Sequence, residues 1–170
     1  PSARLALSLI ALGSAGLVVA SLVLTAWLGL HPCHLCIFQR VLFMVLAVLG
    51  ALAAWRWQGA LGLAAGLAVL PVTAAGVAAA AYQSWLQVQP VGSASCVASE
   101  PTLVELFVEA LGRLQPDLFL ASGFCENAEL YVFGLSLANW ALVAHVVFAC
   151  LGVFALNARR TARRQPASAA

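Results

Sequence analysis

The stretch LALSLIALGSAGLVVASLVLTAWLGL, Leu5–Leu30, contains no ionisable side chain. A helix needs about 20 such residues to cross roughly 30 Å of hydrocarbon. The run exceeds that, is too long for the apolar core of a cleavable signal, and is followed by no A-x-A site, so it reads as a span. Three further runs repeat the pattern. One covers about 36–55 and is interrupted by Gln39 and Arg40. Another covers about 60–82 and holds Pro71 and several glycines, which membrane helices tolerate. The last covers about 135–156 with only mild polar groups such as Asn139 and His145. Across all 170 residues, 64% are hydrophobic and 8% charged, and the mean hydropathy is +1.00. A soluble domain carries about 25% charged residues, so these few ionisable groups could not clothe a water-soluble globule. The same figures exclude a disordered chain. The expected fold class is all-α: an integral membrane four-helix bundle forming a single domain over 1–170.

Charge sets the expected topology. All eight basic residues are arginines, and all six acids lie between Glu100 and Glu129. Segment 83–136 therefore carries −5 and the rest of the chain +7. Four spans put Arg4, the short link Arg56–Gly59 and the tail arginines Arg159, Arg160, Arg163 and Arg164 on one side. Arginines in short flanking segments stay in the cytoplasm, so both termini and the tail 157–170 are expected there. The loops at about 31–35 and 83–134 then face outward, which in a bacterium is the periplasm. Trp55, Trp57, Trp85 and Trp140 lie near span ends, where amphipathic rings favour the membrane interface.

Four of the five cysteines fall in these outward segments: Cys33, Cys36, Cys96 and Cys125. An oxidising compartment favours disulfides, and the natural pairs are Cys33 with Cys36 and Cys96 with Cys125. The motif Cys33-His34-Leu35-Cys36 follows Pro32 and opens a long apolar run, placing it in a first helical turn. Free backbone N–H groups and the helix dipole there favour a thiolate, the species that exchanges disulfides. A zinc site would need a second Cys-x-x-Cys or a histidine pair, and no metal is expected. A static staple is a poor reading, because closing so short a loop removes little unfolded-state entropy. Arg40 lies one turn after Cys36 on the same helix face, and an arginine near the membrane needs a task, a partner or a route to the interface.

The second pair closes about 30 residues, which by itself is an adequate structural reason for a bridge. Cys96 ends a small-residue stretch, Val91 to Cys96, that is expected to be accessible to an external thiolate. Between the two cysteines, Leu103, Leu106, Phe107, Leu111 and Leu114 recur at helical spacing. They predict a short amphipathic helix over 103–114, lying on the membrane or packed on the bundle top. Cys150 reads as a small packing residue. His145 lacks the facing histidine that a heme site in a bundle would require, and His34 reads as a solvated interfacial histidine.

At this point the motifs resemble a known family. The run His31-Pro32-Cys33-His34-Leu35-Cys36-Ile37-Phe38-Gln39-Arg40 is similar to the first periplasmic motif of the DsbB family of bacterial inner-membrane disulfide-forming proteins. The stretch Phe119-Leu120-Ala121-Ser122-Gly123-Phe124-Cys125 resembles the region of that family's last functional cysteine. The resemblance implies a thiol oxidase, a protein-dithiol:quinone oxidoreductase. It would reoxidise a DsbA-like periplasmic thioredoxin-fold protein and pass two electrons to a membrane quinone, ubiquinone or menaquinone. By position it implies that the reduced partner attacks Cys96, that Cys125 exchanges with Cys33, and that Cys36 is left as the thiolate meeting the quinone beside Arg40. A strong acceptor is also needed on energetic grounds. DsbA sits near −120 mV, and about 30 mV in a two-electron couple is worth roughly 1.4 kcal/mol. Gln39 stands where some relatives carry an acid, and Gln83 where some carry a histidine at the quinone.

Two other readings compete. A vitamin K epoxide reductase-like enzyme also combines a four-helix bundle, a Cys-x-x-Cys and a loop pair, but there the loop pair comes first in sequence. A non-enzymatic membrane scaffold would use the same cysteines only as staples. Lipid and quinone are the expected membrane partners, and no nucleic acid is expected to bind.

Overall fold

Inside hydrocarbon every backbone N–H and C=O must be satisfied within the protein, so uncharged runs of this length fold as helices. The computed structural model describes residues 2–90 and 101–164. Its elements are α1 (Ser2–Leu28), α2 (His34–Trp55), α3 (Ala60–Leu86), α4 (Leu103–Leu114), α5 (Pro116–Phe119), β1 (Tyr131–Val132), β2 (Leu135–Ser136) and α6 (Leu137–Arg164). Helices α1, α2, α3 and α6 are each long and apolar enough to cross a membrane. At 1.5 Å per residue, the 22 residues of α2 reach about 33 Å, close to the hydrocarbon thickness.

The four long helices close into a ring. Helix α1 packs on α2 and α6, and α3 packs on α2 and α6. The short links 29–33 and 56–59 make sequence neighbours antiparallel. The core runs through Leu7 and Ile10 of α1, Phe43 and Leu46 of α2, Val69 of α3 and Phe148 of α6. Leu5, Leu12, Val19, Val48, Leu61 and Phe154 are exposed on the outside. In water such a coat would drive aggregation, whereas acyl chains solvate it, leaving close packing to select the inner face. His145 lies fully buried in this interior, its ring stacked on Phe43 at 4.2 Å and 5°. Gly76 of α3 makes the room, since a Cβ there would collide with the imidazole. Cys150 departs from expectation: it is exposed on the outer face of α6 instead of packing inside the bundle.

The long connection covers the end of the bundle that carries the Cys-x-x-Cys motif. Helix α4 is present where its periodicity placed it, and Thr102 caps it. Glu105 N donates to Thr102 Oγ1 at 3.3 Å, and Thr102 N donates to Glu105 Oε2 at 2.7 Å. Its Val108 is buried and its Phe107 meets Phe38 of α2 edge-on at 6.4 Å, while Leu103 and Leu114 point outward. Strands β1 and β2 form a tight hairpin with Tyr131 opposite Ser136. Its two turn residues, Phe133 and Gly134, have φ of 51° and 79°, as a two-residue primed turn requires. Trp140 Nε1 donates to the Val132 carbonyl at 3.0 Å, tying the hairpin to α6.

Candidate thiol site

Pro32 leads into α2 and Cys33 is its N-cap residue, with extended backbone (φ −83°, ψ 172°). Cys33 Sγ accepts from Cys36 N at 3.4 Å and lies 3.0 Å from Cys36 Sγ. The two sulfurs are in direct contact, as a pair that opens and closes a disulfide requires, and among the described residues Cys125 and Cys150 are joined to no other cysteine. Cys96 and the 91–96 stretch lie outside the described residues.

The segment after α5 brings the third sulfur in. Ser122 N and Gly123 N both donate to the Pro32 carbonyl, at 2.9 and 3.2 Å. His31 N donates to Glu129 Oε2 at 2.7 Å, and His31 Nδ1 lies 3.4 Å from Glu129 Oε1. Gly123 has no alternative here, because a Cβ would run into the His31 carbonyl oxygen. Held at both ends, the segment sets Cys125 beside Cys33, close enough for the two thiols to interact. The sulfurs therefore follow the order Cys125, Cys33, Cys36. The hydrogen bonds to Cys125 and Cys36, together with burial, hold the Cys33 thiol far above the ordinary thiol range. The hydrogen bond from Cys33 lowers Cys125, which makes Cys125 the readier nucleophile of the two.

Two buried amides stand beside the sulfurs. Gln83 Nε2, from α3, donates to Cys36 Sγ at 3.0 Å and to Cys33 Sγ at 3.3 Å. Gln39 Nε2, from α2, donates to Gln83 Oε1 at 2.8 Å. One turn after Cys36, Arg40 is only 5% exposed. Its Nε donates to Ser21 Oγ at 2.9 Å, Nη2 to Thr25 Oγ1 at 3.1 Å, and Nη1 to the Leu118 carbonyl at 2.7 Å. Arg40 thus joins α1, α2 and α5 instead of snorkelling to water. Beside it lies a cavity of about 200 Å³ whose walls include Leu17, Ser21, Cys36, Arg40, Phe43 and Ala141. Among the described residues no three His, Cys, Asp or Glu side chains converge as metal ligands.

Comparison with known proteins decides the family. The family model described as disulfide bond formation protein DsbB matches residues 3–155. The chain belongs to the DsbB family. Disulfide bond formation protein B of Dechloromonas aromatica is 39% identical over 148 residues, covering 85% of each chain. The protein of the same name from Polaromonas sp. is 36% identical over 163 residues, covering 95% of this chain and 94% of the relative. That from Polaromonas naphthalenivorans is 37% identical over 155 residues, covering 91% and 89%. The resemblance read from 31–40 and 119–125 therefore holds, and this DsbB-family chain is a multi-pass membrane oxidoreductase of disulfide bond formation.

Sequence motifs located Cys33, Cys36, Cys125 and Arg40 but not what positions them. Ser21, Thr25 and Glu129 gave no motif signal. Gln39 and Gln83 gave a weak one, as amides in or beside apolar runs, where an unpaired polar group is costly. Gly123 supplies a test of this docking in the present family member. Gly123→Ala should push the segment off His31, and misplacement by about 1 Å can cost roughly 10²-fold in rate. The measurement is the rate of Cys33–Cys125 disulfide formation under mild oxidation in a Cys36→Ser, Cys96→Ser background. An unchanged rate would show that the docking does not position Cys125.

Proposed function

We propose that the chain reoxidises a soluble thioredoxin-fold dithiol protein of the DsbA type and passes the electron pair to a membrane quinone. The observation that carries this reading is the sulfur order Cys125, Cys33, Cys36. Disulfide exchange needs an attacking, a central and a leaving sulfur, and a Cys33–Cys36 disulfide attacked by Cys125 would have that sequence. In the proposed cycle a partner thiolate attacks Cys96 of a Cys96–Cys125 disulfide, forming a mixed disulfide and freeing the Cys125 thiolate. Cys125 attacks Cys33, forming Cys33–Cys125 and releasing Cys36 as thiolate. The second partner thiol resolves the mixed disulfide, leaving the partner oxidised and Cys96 as thiolate. Cys96 then displaces Cys33 from Cys125, and re-forming the Cys33–Cys36 bridge releases two electrons. The net change converts two partner thiols and one quinone to a partner disulfide and one quinol, the two electrons and two protons lost by the thiols ending on the quinol.

The residues present fit such an acceptor. A cavity of about 150 Å³ can hold a benzene ring, so about 200 Å³ beside Cys36 suits a substituted six-membered ring. Arg40 uses three N–H groups on the protein, and a guanidinium has five, leaving donors for a ring oxygen. When bound, the quinone supplies the two-electron oxidant that a low-potential protein disulfide cannot. Orientation follows the arginine distribution, with the sulfur-bearing end in the periplasm, both termini in the cytoplasm and the whole in the bacterial inner membrane.

The test is turnover with purified protein, a reduced DsbA-type substrate and a soluble quinone analogue. Substrate disulfide and quinol are expected to appear in equal amounts, with no catalytic turnover without quinone. A protein that staples its loops but oxidises nothing would reject the proposal.

A further inference from the structure

The two buried glutamines have a chemical polarity that the exchange cycle does not by itself require. Sulfur in its thiolate form only accepts hydrogen bonds, so the amide facing it must present its N–H₂ end. Gln83 presents that end, with one contact to Cys36 Sγ and one to Cys33 Sγ. An amide could equally be rotated to present its oxygen, and what opposes this is Gln39, whose own Nε2 donates to Gln83 Oε1. Gln39 and Gln83 are 4% and 2% exposed, so water cannot substitute for either contact. Neither side chain carries a titratable proton.

We propose that Gln83 is a catalytic residue that stabilises the electron-rich sulfur of Cys36 by direct donation, and that Gln39 is the positioning residue that fixes its polarity. The proposal deepens the thiol-oxidase reading and rests on it. It predicts an asymmetry between substitutions of nearly equal shape. Gln83→Met keeps length and removes the donor. Gln39→Glu keeps shape but turns a donor into a carboxylate acceptor, which draws Gln83 Nε2 toward itself and turns Gln83 Oε1 onto the sulfurs.

The test uses the full-length protein with Cys33, Cys96 and Cys125 changed to Ser and Cys150 to Ala, leaving Cys36 as the single thiol. Iodoacetamide alkylation at neutral pH reads the fraction of reactive thiolate and involves neither quinone nor partner. Gln83→Met is expected to slow alkylation about tenfold, the scale of one hydrogen bond to a charged group. Gln39→Glu is expected to slow it by a similar factor although Gln83 is untouched. Gln39→Met, which removes the orienting donor without adding an acceptor, should slow it less than Gln39→Glu and serves if the glutamate variant does not fold. Unchanged rates in Gln83→Met overturn the proposal. Slowing in Gln83→Met with no effect of either Gln39 variant overturns the positioning role. The oxidase reading can survive either result, since quinone-dependent turnover tests it separately.

Discussion

Cys33→Ser should abolish multiple turnover, lowering quinone-dependent oxidation of the reduced partner by about 10³-fold or more, the scale on which losing a covalent nucleophile registers. The reason is its central place. Cys33 is the sulfur in contact with both Cys36 and Cys125, so its removal separates the loop sulfur from the one beside Arg40. The protein should still accept one pair of electrons at Cys96–Cys125, giving a single stoichiometric burst of partner oxidation that no added quinone extends. Cys36→Ser should also stop turnover after one such burst, because Cys33 is then a thiol and offers Cys125 no disulfide to attack. Sustained turnover in either variant would reject the relay.

Arg40→His should raise the Michaelis constant for quinone by about 10- to 100-fold, matching the roughly 1.5–3 kcal/mol of a hydrogen bond to a charged group. The constant for the partner protein should stay within about twofold, because Arg40 lies against α1 and Leu118 beneath the sulfurs. Imidazole is too short and has too few donors to reach Ser21, Thr25 and the Leu118 carbonyl together. A second effect follows from those contacts. Leaving the Leu118 carbonyl and Ser21 without their donor should cost about 1–3 kcal/mol of stability, read as a lower thermal unfolding midpoint in detergent. An unchanged quinone constant alongside that loss would make Arg40 purely structural.

The architecture was legible because the bilayer leaves few options. Uncharged runs such as Leu5–Leu30 can satisfy their backbone there only as helices, and Gly and Pro in α3 did not disturb that inference. Helix α4 was legible from the spacing of Leu103, Phe107 and Leu111, since amphipathic period survives whatever the tertiary contacts. The sulfur motif and Arg40 were legible as chemistry. What was not legible is the set of contacts made across large sequence separation. Nothing local says that Gln83 will face Cys36, that Glu129 will meet the His31 amide, or that Ser21 and Thr25 will receive a guanidinium. Helix α3 also continues to Leu86, because Gln83-Ser84-Trp85-Leu86 contains no breaker. A polar composition suggested an earlier end there. The outward position of Cys150 is not legible either, because period alone does not say which side of a uniformly apolar helix faces lipid.

The docking of the 122–125 segment has an evolutionary corollary. Its two contacts to the Pro32 carbonyl are made by peptide N–H groups, which every residue except proline supplies. Side-chain identity at 122 and 124 is therefore weakly constrained, in contrast to the need for no Cβ at 123 and for the thiol at 125, whereas spacing is strongly constrained. Inserting or deleting a single residue between Gly123 and Cys125 would swing the reactive atom to the far side of the chain. Indels in this short interval should be purged far more stringently than point changes at Phe124.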